Sequence, residues 1–240
     1  MPLGPCSRDS AEAQISHVPY RGRNGPCCPS TVRSSFDNKV AVNLRVAAMT
    51  RVRAARSLNE LQGQFRQMSE QAAALGRRAD AVALGHRPGP GRWSAAECLA
   101  HLNLSVDPYL PLWRQVLAQD SRAGFPTRDR YSLDIWGRIL VWTLEPPPRL
   151  RSSTPRRFDP VNTDPVPTIL PGFLDRQHAI LEVLESAHGN AIDTIKIVSP
   201  FDSRVRYSIW SSLCVTAAHQ RRHLWQAERA LPVPAERSGA

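Results

Sequence analysis

Two histidines lie four residues apart in the stretch AAHQRRHLWQAER, near the end of the 240-residue chain. Residues four apart on a helix lie on one face, so His219 and His223 can both reach a single ion. The usual zinc–nitrogen distance in such sites is about 2.0–2.1 Å. Gln220 stands where the HExxH motif of zinc proteases has its glutamate, so the stretch is not that motif. The alternative interpretation is a pair of ordinary polar residues on a basic surface.

A metal site needs at least one more ligand, and the chain offers five further histidines, which are His17, His86, His101, His178 and His188. His101 and His178 lie in long helical patterns. Glu97 precedes His101 by four residues and could accept a hydrogen bond from an imidazole N–H, as neighbours of metal-binding histidines often do. Glu97 also completes a capping box that starts at Ser94, which is the simpler interpretation. His178 is the alternative third ligand.

Apolar periodicity and helix-capping residues predict four long amphipathic helices. Their expected bounds are Ser57 to Arg78, Ser94 to Gln119 with a kink at Pro108, Pro171 to Ala187, and Tyr207 to Ala230. A shorter helix is expected from Leu133 to Leu144, and a short strand at Ile195–Val198. Four apolar stripes are buried together most simply in a four-helix bundle. The sequence therefore predicts an all-α protein, a four-helix bundle with long connections.

Residues 1–48 are rich in Gly, Pro, Ser and Arg and lack sustained periodicity, which is typical of disorder. We expect a disordered N-terminal extension, a bundle domain over 49–232 and a flexible tail over 233–240. Met49 is a candidate native start, and a transit peptide is the alternative explanation of the extension. The proline- and arginine-rich connection 146–167 is long, and long connections often cover a functional site.

The net charge of +10 is unevenly spread, since residues 1–57 hold nine Lys or Arg against three Asp or Glu. A nucleic-acid partner is therefore not expected, because such proteins concentrate basic residues on a face of the fold. No apolar run is long enough for a membrane span. Cys98 and Cys214 lie in apolar helical patterns and are expected to be buried and reduced, as in a cytoplasmic protein.

Two segments resemble the DinB-like family. PGPGRWSAAECLAHLNLSVDPYL is similar to the family signature W-S-x-x-E-x-x-x-H, in which a Trp-Ser pair opens the second helix and the histidine binds metal. AAHQRRHLWQAERA is similar to the closing helix of the family, in which H-x-x-x-H is followed by a Trp-Gln step. The resemblance covers about residues 57–230. It implies a DinB-like bundle whose metal ligands are His101, His219 and His223.

Three neutral imidazoles suit zinc, nickel or iron(II). Three protein ligands leave an open position for water or substrate, as in catalytic sites. The resemblance implies a hydrolase-like activity or transfer of a low-molecular-weight thiol, as in bacterial relatives that use mycothiol or bacillithiol. It also implies a small-molecule substrate and the alternatives of monomer and homodimer.

Other residues near the predicted ligands are weaker candidates for catalysis. Besides Glu97, these are Tyr109 as a proton donor and Arg222, which could meet an anionic substrate or pair with a carboxylate such as Glu228. Gln226 could line the site. Four tryptophans are expected in the core, which are Trp93, Trp113, Trp210 and Trp225.

A second hypothesis is a non-enzymatic, stress-linked binding or scaffold protein with the same bundle. An open polar pocket over the histidines would favour the enzyme, and a sealed apolar surround would favour the scaffold. A third hypothesis is nucleic-acid binding through the arginine-rich extension and residues 149–157.

Overall fold

The computed structural model describes residues 54–119, 128–147, 156–160 and 164–232. Within these ranges the elements are α1 (Leu58–Arg78), α2 (Ala81–Gly85), α3 (Ala95–Val106), α4 (Tyr109–Gln119), α5 (Ile135–Leu144), α6 (Val166–Ser186), β1 (Lys196–Val198), β2 (Arg206–Ser208) and α7 (Ile209–Ala230). A single 3-10 turn, Arg156–Phe158, lies between α5 and α6. The extension 1–48, the candidate start Met49 and the tail 233–240 lie outside the described residues.

Four helices form the bundle and confirm the predicted all-α class. α1 and α3 each pack against both α6 and α7, so α1 and α3 lie at opposite corners. The core between them is filled by large side chains that are almost completely buried, among them Phe65, Leu102, Phe173, Ile180 and Trp210. Burial of such side chains is the main stabilising contribution to a bundle of this kind.

Capping residues fix where the helices begin. The Ser94 hydroxyl accepts from Glu97 N at 3.1 Å, and the Glu97 carboxylate accepts from Ser94 N at 2.8 Å, which confirms the predicted capping box at α3. At α1 the Ser57 hydroxyl accepts from Glu60 N at 3.2 Å. The Glu60 carboxylate instead accepts from Arg56 N at 2.7 Å, so the reciprocal half of that box is displaced by one residue.

Prolines account for two differences from the predicted helix bounds. The expected second helix is interrupted, because α3 ends at Val106 and α4 begins only after the turn that contains Pro108. α6 starts at Val166 rather than near Pro171. Pro167 is tolerated there because amides in the first helical turn have no intrahelical acceptor. Pro171 lies inside this helix.

Two small elements complete the fold. The expected strand near Ile195 is present as β1, and it pairs antiparallel with β2, which the sequence analysis did not predict; Ile197 lies opposite Tyr207. The short helix α2 was also not predicted, and the Asp80 carboxylate caps it by accepting from Ala83 N at 2.8 Å.

Helix α5 lies against α7 and β2 and exposes four large apolar side chains, those of Ile135, Trp136, Ile139 and Trp142. At its C-terminal end the Glu145 carboxylate forms a buried ion pair with Arg221 of α7. Among the described helices, none has the length together with the apolar character that a bilayer crossing requires.

Candidate metal centre

Three histidines from two helices of the bundle meet at one point. α3 contributes His101, and α7 contributes His219 and His223 from successive turns. One ring nitrogen of each lies within 4.8 Å of the others. His101 Nε2 is 3.1 Å from His219 Nε2. Two nitrogens bound tetrahedrally at the zinc distance would be about 3.3–3.4 Å apart, so these side chains could hold one metal ion with little movement.

A backbone carbonyl fixes the orientation of His101. Its Nδ1 lies 2.7 Å from the carbonyl oxygen of Phe158, in the 3-10 turn between α5 and α6. A carbonyl oxygen can only accept, so Nδ1 carries the hydrogen and Nε2 keeps its lone pair toward His219. The Phe158 carbonyl thus accepts the imidazole hydrogen bond for which Glu97 was considered. Phe158 lies in the long connection 146–167, which was expected to cover a site.

Burial keeps the three imidazoles neutral. His101 and His223 are buried, and His219 is half-buried because it faces a cavity. Burial lowers the pKa of His101, although the Phe158 carbonyl acts in the opposite direction. Burial lowers the pKa of His219 to about 3, and His101 and Arg222 add to the effect. The pKa of His223 is well below its usual value for the same reason. Neutral imidazole is the form that binds a metal ion.

Glu97 and Tyr109, two of the weaker candidates for catalysis, have hydrogen-bond partners other than the histidines. Burial raises the pKa of the Glu97 carboxyl, but hydrogen bonds from Arg87 and Ser94 outweigh this effect and lower it. Arg87 Nε reaches Glu97 Oε2 at 2.9 Å, so the carboxylate serves the cap and this arginine. Tyr109 lies in the core, where its hydroxyl hydrogen-bonds the hydroxyl of Tyr207.

The alternative ligand lies elsewhere on the surface. His178 has an exposed side chain on α6, and its Nε2 is 3.4 Å from a carboxylate oxygen of Glu182. Gln226, by contrast, follows His223 by one turn and lines the cavity, as the sequence analysis considered.

An open cavity of about 620 Å³ lies over the histidines. Its lining includes the aromatic side chains of Trp93 and Trp225 and the charged side chains of Arg92, Arg222, Arg229 and Asp159. The Trp93 ring centroid is 5.0 Å from that of His101 and 5.7 Å from that of His223. The cavity is therefore partly polar, and its floor is formed by the three imidazoles.

The expectation that four tryptophans lie in the core was wrong for two of them. Trp113 and Trp210 are completely buried. Trp93 and Trp225 are half-buried and line the cavity instead. Trp93 precedes the cap of α3 and therefore lies beyond the start of the helix, where it can reach the imidazoles rather than the bundle interior.

Both cysteines that the structure describes are buried free thiols, as the sequence analysis predicted. Cys98 lies in the wall of the cavity. Burial raises its pKa to about 12, and the neighbouring charge of Glu97 adds to this effect. Burial also raises the pKa of Cys214.

The metal-free protein should lose stability as the pH falls below about 6.5, the usual pKa of an unfolded-state histidine. In that range the unfolded chain takes up protons that the folded imidazoles resist, because burial lowers their pKa values. Each such histidine contributes about 1.4 kcal/mol per pH unit, lost as the pH falls. Urea unfolding of the metal-free protein at several pH values measures this dependence.

Replacement of one buried imidazole should make that pH dependence shallower. His219→Gln removes one titrating group, so this variant should lose less stability per pH unit than the wild type. Identical slopes in the wild type and the His219→Gln variant would contradict the assignment of the lowered pKa to His219.

A comparison with known proteins identifies a family whose match extends over the same helices. The DinB superfamily matches residues 64–227, which is well over half of the chain and includes all three histidines. No curated protein and no solved structure matches the chain. The matched region covers α3 and α6 completely and most of α1 and α7, the four helices of the bundle. The chain belongs to the DinB superfamily.

Proposed function

We propose that this protein is a metal-dependent enzyme in which His101, His219 and His223 hold one zinc, nickel or iron ion. The cavity above the ion would bind a small-molecule substrate. The observation that carries this proposal is the open, partly polar cavity whose floor consists of the three imidazoles. When bound there, the ion would lower the pKa of water or of a low-molecular-weight thiol and so supply the attacking group.

The scaffold hypothesis fits the same cavity less well. A bundle needs no polar cavity for its stability, and burial of a charged side chain is costly. Arg222 is nevertheless almost fully buried in the cavity wall, and burial lowers its pKa. A cost of this kind is commonly retained at functional sites. The polar lining therefore favours an enzyme over a scaffold.

The protein groups around the ion have separate tasks in this proposal. The Phe158 carbonyl holds the His101 ring so that Nε2 is available as a ligand. Trp93 packs against two of the three imidazoles and limits the directions from which water can approach. Arg222 and Gln226 lie beside the histidines on α7, where they can contact a substrate.

Cobalt(II) substitution separates the thiol and water versions of the proposal. The cobalt-loaded full chain would be titrated with 2-mercaptoethanol and assayed with p-nitrophenyl acetate. A near-ultraviolet band that saturates with the thiol supports an S-transferase-like enzyme, because a thiolate sulfur that binds cobalt absorbs there. Ester hydrolysis without such a band supports a hydrolase-like enzyme.

The histidine variants provide the controls for this experiment. His223→Ala should lose both signals, whereas His178→Ala should keep them because His178 lies on the exposed face of α6. A cobalt-loaded protein that shows neither thiol binding nor hydrolysis would contradict the enzyme proposal and favour the scaffold.

A further inference from the structure

Two consecutive arginines of α7 have contrasting surroundings. Arg221 points away from the cavity and forms an ion pair with Glu145, while its Nη1 donates to Gln64 Oε1 at 2.9 Å. Arg222 lines the cavity, and one of its interactions is a hydrogen bond from Nη1 to the carbonyl oxygen of Thr143 at 3.4 Å.

The cavity lining carries more positively charged than negatively charged side chains. Among the lining residues that the structure describes, Arg92, Arg222 and Arg229 contribute three positive charges and Asp159 contributes one carboxylate. The Arg229 guanidinium carbon lies 4.8 Å from the centre of the Trp225 ring, a cation–π contact at the cavity wall. In a partly desolvated cavity such an excess of positive charge attracts anions more strongly than on an open surface.

The ligand set adds to this imbalance. Three imidazoles are neutral, so they would leave both charges of a divalent ion uncompensated. A site with carboxylate ligands would neutralise part of that charge. The charge of a bound ion would therefore add to that of the arginines that line the same cavity.

We propose that the substrate of this cavity is an organic anion, whose carboxylate or sulfonate group meets Arg222 while its apolar part lies against Trp93 and Trp225. This inference rests on the proposed function, because it assumes that the substrate binds in the cavity over the ion. A planar guanidinium can bind such a group through two parallel hydrogen bonds, which fixes the orientation of the substrate. The two indole rings, which line the same cavity, provide apolar surface for the rest of the substrate.

A matched pair of thiols tests the inference on the cobalt-loaded full chain. The probes are 2-mercaptoethanesulfonate and 2-mercaptoethanol. They share the thiol and differ in charge at the opposite end of the molecule. A sulfonate is a poor metal ligand, so a preference for it does not arise from direct coordination of the ion. We expect the sulfonate to bind about tenfold more tightly, as for one charge-assisted hydrogen-bonded contact. The preference should shrink as salt is added.

Three variants assign this preference to a residue. Arg222→Gln should abolish it, and Arg229→Gln should reduce it because that side chain lies at the exposed rim. Arg114→Gln is the matched control, since it removes one positive charge from an exposed ion pair with Glu182 outside the cavity. It should keep the full preference. Circular dichroism identifies a variant that fails to fold, and Arg229→Gln then carries the test.

A second probe pair distinguishes failure of this inference from failure of the proposed function. Benzenesulfonate and benzyl alcohol carry no thiol, and quenching of tryptophan fluorescence would report their binding to the metal-loaded chain. A tighter benzenesulfonate complex that weakens in Arg222→Gln supports the anion site even where neither thiol gives a cobalt band. Equal affinities within each probe pair, or a preference that persists in Arg222→Gln, would overturn the inference.

Discussion

About one zinc, nickel or iron ion per chain is expected in the purified protein, and the His219→Ala variant is expected to lose it. His219 lies close to both other histidines, because its Nε2 is 3.1 Å from that of His101 and its ring centroid is 4.6 Å from that of His223. Loss of a hydrogen-bonding neighbour of a ligand typically costs about 10- to 100-fold in metal affinity, and loss of a ligand itself should cost more. Elemental mass spectrometry of both proteins measures the difference.

Two controls make this result specific to the cluster. His178→Ala removes an exposed histidine of α6 and should retain the metal. Reconstitution with each metal separately shows whether an empty preparation reflects weak binding or loss during purification. A wild-type protein that takes up no metal after reconstitution would make α7 a structural element and would favour the scaffold hypothesis.

A Glu145→Ala variant is expected to lower the free energy of unfolding by about 3–5 kcal/mol, the usual cost of breaking a buried ion pair from one side. Both side chains of the pair with Arg221 are about nine-tenths buried. Removal of Glu145 leaves the guanidinium charge of Arg221 buried without this carboxylate. The hydrogen bond from Arg221 Nη1 to the side-chain oxygen of Gln64 remains. Chemical denaturation of the metal-free protein measures the effect.

An exposed ion pair provides the comparison for Glu145. Glu182→Ala breaks the ion pair with Arg114, in which both side chains are more than half exposed. Such pairs contribute at most about 1 kcal/mol. If both variants lose the same free energy of unfolding, burial does not make the Glu145–Arg221 pair more important for stability than an exposed pair.

The bundle and the pair of histidines on α7 could be predicted because their signals are local, whereas His101 was chosen over His178 through the resemblance to the DinB-like family. The apolar stripes repeat within single helices, and the spacing of His219 and His223 puts both on one face whatever the rest of the fold does. The same helical step places Arg222 three residues after His219 and Gln226 three residues after His223. Both residues accordingly line the cavity.

The features that sequence analysis missed depend on long-range contacts or on the backbone. Phe158 acts through its carbonyl oxygen, a group that every residue has, so its role leaves no trace in the residue type. Trp93 and Trp225 were assigned to the core because large aromatic side chains are usually buried. Their places in the cavity wall follow from how the start of α3 and the end of α7 are arranged around the histidines.

The buried thiol in the cavity wall has a consequence for chemical durability. At neutral pH a thiol of pKa about 12 is ionised in only about one molecule in 10⁵, and the ionised form is the one that attacks disulfides. Cys98 would therefore be slow to attack a small disulfide, the step that forms a mixed disulfide and releases a thiolate. Thiol-blocking reagents should therefore react slowly with Cys98 in the folded protein.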